Sequence, residues 1–215
     1  MTRRQTIDSQ NPDFELIQEI AALIREGHVV VVPTDTAYGL TGNPTDTKVV
    51  QRILKIKARS EKLGMPLLAA SISQVREIVT LTPLAENFVT HFWPGAVTLI
   101  LSAQREFPSG VIGPNESLAI RIPDHPITLE VIRATGFPII GTSANKSNTP
   151  SPRSADLVVA QLSGQVDFIL DAGSTYHSAD STIVNFMTDP PSILREGAIP
   201  LSDIESWLKR AISNK

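Results

Sequence analysis

Four consecutive valines, Val29 to Val32, that stop at Pro33 constrain the fold of this chain more than any other segment. An unbroken β-branched run of strand length predicts a buried central strand, and a proline, which has no N–H, marks where ladder pairing ends and a loop begins. The residues that follow, Thr34-Asp35-Thr36-Ala37-Tyr38-Gly39-Leu40, bring hydroxyls to the end of that strand. Loops at strand ends are where rigid scaffolds carry chemistry. Taken alone, Thr34-Asp35-Thr36 is equally consistent with a turn whose side chains bond their own backbone.

The flanking segments are helical. Asn11-Pro12-Asp13 precedes an apolar series, Phe14, Leu16, Ile17, Ile20, Leu23 and Ile24, that ends before Gly27, the pattern of a capped amphipathic helix with a glycine stop. Thr45-Asp46 caps a second helix with Val49, Val50, Ile53, Leu54 and Ile56 on its apolar stripe. Short strands are predicted at 66–70, 96–101, 118–122, 138–141, 167–170, 181–186 and 192–194, and helices at 73–79, 83–92, 126–135, 153–162 and 202–212. Strands and helices do not alternate strictly, so the expectation is an α/β fold with a twisted, mixed, open sheet flanked by helices. One domain is expected over 1–215, with its core at about 12–205.

Net charge is −3, so an anion site requires local concentration of Lys and Arg, and residues 52–62 supply it with Arg52, Lys55, Lys57, Arg59 and Lys62 against Glu61 alone. Lys57 continues the apolar stripe, whereas Lys48, Arg52 and Lys55 share the outer face. A lysine in that phase points toward the protein or a cleft. Beside the Arg59 fork it makes the pairing expected around a polyphosphate; the competing reading is a solvated basic helix end. Gly141-Thr142-Ser143-Ala144-Asn145-Lys146-Ser147-Asn148 forms a second strand-end loop, read either as an anion nest built on exposed N–H groups or as a plain surface loop. Arg121 and Arg195 each interrupt an apolar strand, and an arginine so placed pairs with a carboxylate or holds an anionic ligand.

Several classes are excluded. The chain has no Cys, hence no disulfide, thiol nucleophile or thiolate zinc site. There is no phosphate-binding Gly-rich motif ending in Gly-Lys-Ser/Thr, no Gly-x-Gly-x-x-Gly, and no ligand spacing among His28, His91, His125 and His177. No segment approaches the length of an apolar membrane span and no secretory leader is evident, so a cytoplasmic location is expected.

The order Pro-Thr-Asp-Thr-x-Tyr-Gly-Leu, Lys-x-Arg, Trp-Pro-Gly-x-x-Thr (Trp93 to Thr98), Arg-x-Pro at Arg121, Ser-x-Asn at Ser143 and Asn145, Ser-Thr-Ile-Val (Ser181 to Val184) and Leu-Arg-x-Gly at Arg195 resembles the YrdC/TsaC-type threonylcarbamoyl-AMP synthases. The resemblance implies a YrdC-like, DHBP-synthase-like sheet curled around a basic groove. It also implies the reaction of L-threonine, bicarbonate and ATP to threonylcarbamoyl-AMP and diphosphate, with Mg2+ accompanying ATP. The product would pass to the enzymes that make t6A at position 37 of tRNA. By the family pattern, Thr36, Arg121, Gly141 and Ser181 form the threonine side, and Lys57, Arg59, Ser117, Ser143, Asn145, Ser151 and Arg195 the ATP side. Lys57 and Arg59 are the residues expected to support catalysis by neutralising charge.

The resemblance is incomplete in places. The Lys-x-Arg loop runs on through Ser60-Glu61-Lys62-Leu63-Gly64-Met65 before Pro66-Leu67, longer than usual and without its proline, and Ala70 stands where some relatives have a histidine. The C-terminal domain of the longer members is expected to be absent. Two other functions are weighed: a carbamoyl-adenylate-forming domain like that of hydrogenase-maturation proteins, and a non-catalytic RNA- or nucleotide-binding module. Net negative charge and few aromatics disfavour RNA as the main ligand while leaving weak contact with tRNA or double-stranded RNA as an expectation.

Overall fold

The computed structural model describes residues 1–213. In chain order the elements are β1 (Arg3–Thr6), α1 (Phe14–Arg25), β2 (Val30–Val32), β3 (Gly39–Thr41), α2 (Thr47–Lys57), β4 (Leu67–Leu68), α3 (Ile72–Arg76), α4 (Pro83–Phe92) and β5 (Val97–Ser102). They continue with β6 (Ser117–Arg121), α5 (Pro126–Thr135), β7 (Ile139–Ile140), β8 (Thr142–Ser143), α6 (Ala155–Leu162), β9 (Phe168–Asp171), β10 (Thr182–Asn185), β11 (Ser192–Arg195) and α7 (Leu201–Ser213).

The valine run is the central strand its composition predicts. β2 pairs parallel with β9 and antiparallel with β3. Its side chains alternate between two cores: Val29 and Val31 pack with Leu40 and the apolar stripe of α2, while Val30 and Val32 pack with Ile17, Ile20 and Ile24 of α1 and Val131 of α5. Burial of both faces explains why the strand reads as continuous valine rather than as alternating polar and apolar residues. Both helix starts are fixed locally: the Asp13 side chain accepts from Leu16 N at 3.1 Å, and that of Asp46 from Lys48 N at 2.8 Å.

The expected mixed sheet is in fact two mixed sheets. One runs β1-β9-β2-β3-β8 and the other β11-β10-β5-β6-β4-β7. The predicted strand at 138–141 is the reason, because β7 belongs to the second sheet and β8 to the first, with Gly141 alone between them. Gly141 N donates to Pro66 O at 2.8 Å, and a Cβ at Gly141 would meet the Leu68 side chain. The chain can pass from sheet to sheet there because no side chain intervenes. Two strands carry no signal in the sequence: β1 is polar throughout and pairs parallel with β9, and β3 emerges from what reads as loop.

Candidate active site

In the second sheet the two faces have different chemistry. On β5 and β6, Val97, Leu99, Leu101, Leu118 and Ile120 join the core, and the alternate residues Thr98, Ile100, Ala119 and Arg121 line a cleft. Gly39, Thr142 and Ser143 of the first sheet form the facing wall. The cleft, of about 240 Å³, therefore lies where the two sheets meet, and Thr36, Arg59, Arg121, Gly141, Ser143, Ser181 and Arg195 all line it.

Arg121 is the most constrained of these. It is 5% exposed; its Nε donates to Gly95 O at 2.8 Å, its Nη1 to Thr36 Oγ1 at 2.8 Å, and its Nη2 forms an ion pair with Asp35. Of the two alternatives for a strand arginine the first holds, since it is paired with a carboxylate, and its side chain also lines the cleft. Three partners occupy three of the five N–H groups of a guanidinium, which leaves two unspent. Burial lowers the Arg121 pKa while the Asp35 charge raises it, and Asp35 Oδ2 is buried without a partner among the described residues.

The strand-end turn divides its work. Thr34 Oγ1 donates to Ala37 O at 2.6 Å and accepts from the amides of Thr36 and Ala37, the turn-forming role, whereas the Thr36 hydroxyl is turned to Arg121. Ser181 Oγ lies 2.8 Å from Thr98 Oγ1, and Arg195 donates through Nε and Nη2 to Ser181 O at 3.1 and 2.8 Å. Arg59 donates to Gly64 O at 2.7 Å and thereby holds the long 58–65 loop at the cleft; its Nε is buried without a partner among the described residues. Gly64, at φ +59°, packs so closely on Gly113 that a Cβ would collide with the Gly113 amide, which fixes the loop from its other side.

Four residues expected at the ligand do not line the cleft. Lys57 does point inward, but its Nζ is spent on Ser143 O, Asn145 O at 3.0 Å and Asn145 Oδ1 at 3.1 Å, so it braces the 142–145 loop. Burial, reinforced by the charge of Arg59, pushes the Lys57 ammonium down to about 8, against the raising effect of Asp180. Asn145 is its partner in that brace. Ser117 begins β6 beside Gly113, and the Ser151 hydroxyl donates to Asp180 Oδ2 at 3.0 Å. In the loop read as a possible nest, the Ala144, Asn145 and Ser147 N–H groups are engaged, donating to Tyr38 O, Ser143 O and Lys57 O. A lysine's phase on a helix gives its direction, but which acceptors meet it depends on a loop 86 residues away.

Sequence reasoning passed over three residues at or behind the cleft: Asp35, Arg153 and Asp180. Asp35 and Asp180 do have a signal, each being a carboxylate next in sequence to a site hydroxyl, Thr36 and Ser181. Arg153, in a Pro-Arg-Ser turn, has none.

An α/β scaffold whose two mixed sheets enclose a cleft lined by three arginines and several hydroxyls defines a class of protein suited to a small anionic or zwitterionic ligand. The Sua5, YciO and YrdC family model, described as telomere recombination, matches residues 22–197, and the chain belongs to this family. It is 40% identical over 192 residues to a Bacillus subtilis protein named threonylcarbamoyl-AMP synthase; that match covers 88% of this chain and 56% of the relative, so the chain spans about half the relative's length. The crystal structure of Pyrococcus abyssi Sua5 complexed with L-threonine superposes with a TM-score of 0.91 at 34% identity, covering 96% of this chain and 61% of that one. Escherichia coli YciO superposes at 0.86 with 25% identity, over 94% of this chain and 98% of its own.

Proposed function

We propose that this protein is an L-threonylcarbamoyladenylate synthase, which condenses L-threonine, bicarbonate and the Mg2+ complex of ATP to threonylcarbamoyl-AMP and diphosphate. The observation that carries the proposal is the Arg121 fork, which lines the cleft, is held by Asp35, Thr36 and Gly95, and keeps two N–H groups without a partner among the described residues. Such a fork suits a substrate carboxylate, and Thr36, Thr98 and Ser181 are hydroxyls within reach of a substrate hydroxyl, which would cost about 1–3 kcal/mol if buried unpaired. The resemblance of the fold to Sua5, whose crystal structure holds L-threonine, supports the same assignment.

In this reading the threonine amine, once it has given up its proton, attacks the carbon of bicarbonate with loss of water, or of CO2 with loss of a further proton, to give a carbamate, and the carbamate oxygen displaces diphosphate from the α-phosphorus. No enzyme nucleophile is needed. The residues position the reactants and neutralise charge: Arg59 and Arg195 at the phosphates, with Lys57 acting through the Ser143–Asn145 loop that it braces. Mg2+ enters with ATP; among the described residues no cluster of His, Asp and Glu could hold it independently.

The same proposal places the reaction in the cytoplasm, delivers the product to the enzymes that build t6A on tRNA, and limits tRNA or double-stranded RNA to weak, salt-sensitive contact. No helix among the described residues is long and apolar enough to cross a membrane. The deciding experiment is diphosphate release from Mg2+ and ATP with L-threonine and bicarbonate omitted in turn. Release that requires both is expected, and Arg59→Ala should abolish it. Release indifferent to threonine, or none from folded protein, would overturn the proposal.

A further inference from the structure

The cleft lining contains one acidic side chain, Asp180, among three arginines. It directly precedes Ser181, whose hydroxyl belongs to the cleft. Two groups hold the carboxylate from outside the lining. Ser151 Oγ donates to Oδ2 at 3.0 Å, and Arg153 Nη2 lies 3.5 Å from Oδ1, an ion-pair distance rather than a hydrogen bond.

Arg153 is itself tightly fixed. Its Nη1 donates to Thr36 O and lies within 3.1 and 3.3 Å of His177 O and Ala179 O, so one guanidinium ties the strand-end turn to the segment that carries Asp180. An ionised carboxylate offers about four lone-pair sites, of which one hydrogen bond uses one. The side chain is 37% exposed, and its negative charge is felt at both Arg121 and Lys57, so it stands within electrostatic reach of the cationic cleft wall.

An amino acid is a zwitterion, and a cleft with three guanidinium groups repels its ammonium as strongly as it attracts its carboxylate. One carboxylate placed on the same wall removes that conflict. We propose that Asp180 receives the α-ammonium group of the amino-acid substrate, and that Arg153 and Ser151 are positioning residues that aim it. This assignment rests on the function proposed above and adds to it the group that distinguishes an amino acid from a plain hydroxy acid.

The test compares L-threonine with (R)-3-hydroxybutyrate, the same molecule without its amine, by calorimetry on the full chain and its Asp180→Asn and Arg153→Ala variants, with denaturant unfolding confirming that each is folded. The expected result is a loss of threonine affinity of about tenfold or more in Asp180→Asn while 3-hydroxybutyrate and Mg2+-ATP binding stay unchanged, with Arg153→Ala showing a smaller loss of the same kind. Threonine binding unaltered in Asp180→Asn, equal weakening of both acids, or loss of Mg2+-ATP binding in its place overturns the assignment. If the unsubstituted protein binds no threonine at all, the proposed function fails and this assignment with it; if it binds threonine and Asp180→Asn is neutral, only the assignment fails.

Discussion

Gly141 is the point at which one strand leaves one sheet and the next joins the other, and the structure states what a single methyl group would do there. A Cβ built on Gly141 falls 2.7 and 2.9 Å from Leu68 Cδ1 and Cδ2, and nearer still to Cγ. Carbon atoms pack at about 3.5 Å or more, so the overlap is at least about 0.6 Å against a side chain only 4% exposed. Leu68 cannot retreat with its backbone, because β4 is paired on one side with Arg121 of β6 and on the other with Ile139 of β7. The side chain must therefore move, and since Leu68 lines the cleft, the strain is delivered to the site.

Gly141→Ala is expected to cost about 1–3 kcal/mol, the range for overpacking, and to weaken threonine binding. Leu68→Ala alone should cost about 2–5 kcal/mol through the cavity it leaves. In the double variant the new methyl occupies part of that cavity, so the pair should be more stable than the sum of the singles by about 1 kcal/mol or more. Urea titrations that give midpoints at constant m-value measure all four corners of the cycle. Additivity within about 0.5 kcal/mol would refute the reasoning, because it would mean that the two groups do not meet.

Three further outcomes follow from the buried charges. Asp35→Asn strands the Arg121 guanidinium in the interior and should cost about 3–5 kcal/mol in denaturant unfolding; a loss under 1 kcal/mol would mean that the pair is not the buried anchor described. Burial lowers His125 to about 4 from 6.5, so the unfolded chain takes up its proton first as pH falls. Stability should then decline across that window by about 3 kcal/mol, and His125→Phe should remove this component of the slope. For Lys57, lowered to about 8 from 10.5, the folded chain releases its proton before the unfolded chain does, so stability should rise by about 3 kcal/mol between those pH values. Urea midpoints at pH 7.5 and 10 should show this rise in the unsubstituted protein and not in Lys57→Met.

Features written within a few residues of one another can be read directly from the chain. The valine strand and its stop at Pro33, the Asp13 and Asp46 caps, and the apolar stripes of α1 and α2 were legible because side-chain periodicity and capping are local. The ordered motifs pointed to the family and to eleven residues, of which Thr36, Arg59, Arg121, Gly141, Ser143, Ser181 and Arg195 line one cleft and Lys57, Ser117, Asn145 and Ser151 do not. Tertiary structure alone decided what those groups do to each other. Arg121 meets Asp35 across 86 residues and Ser151 meets Asp180 across 29, pairings that no local pattern encodes. The helical phase of Lys57 gives its inward direction, yet the carbonyls that absorb its charge come from a loop whose position depends on Gly141 changing sheets. β1, wholly polar, joins its sheet through backbone pairing with β9, and a ladder of N–H and C=O groups leaves no mark in side-chain hydrophobicity.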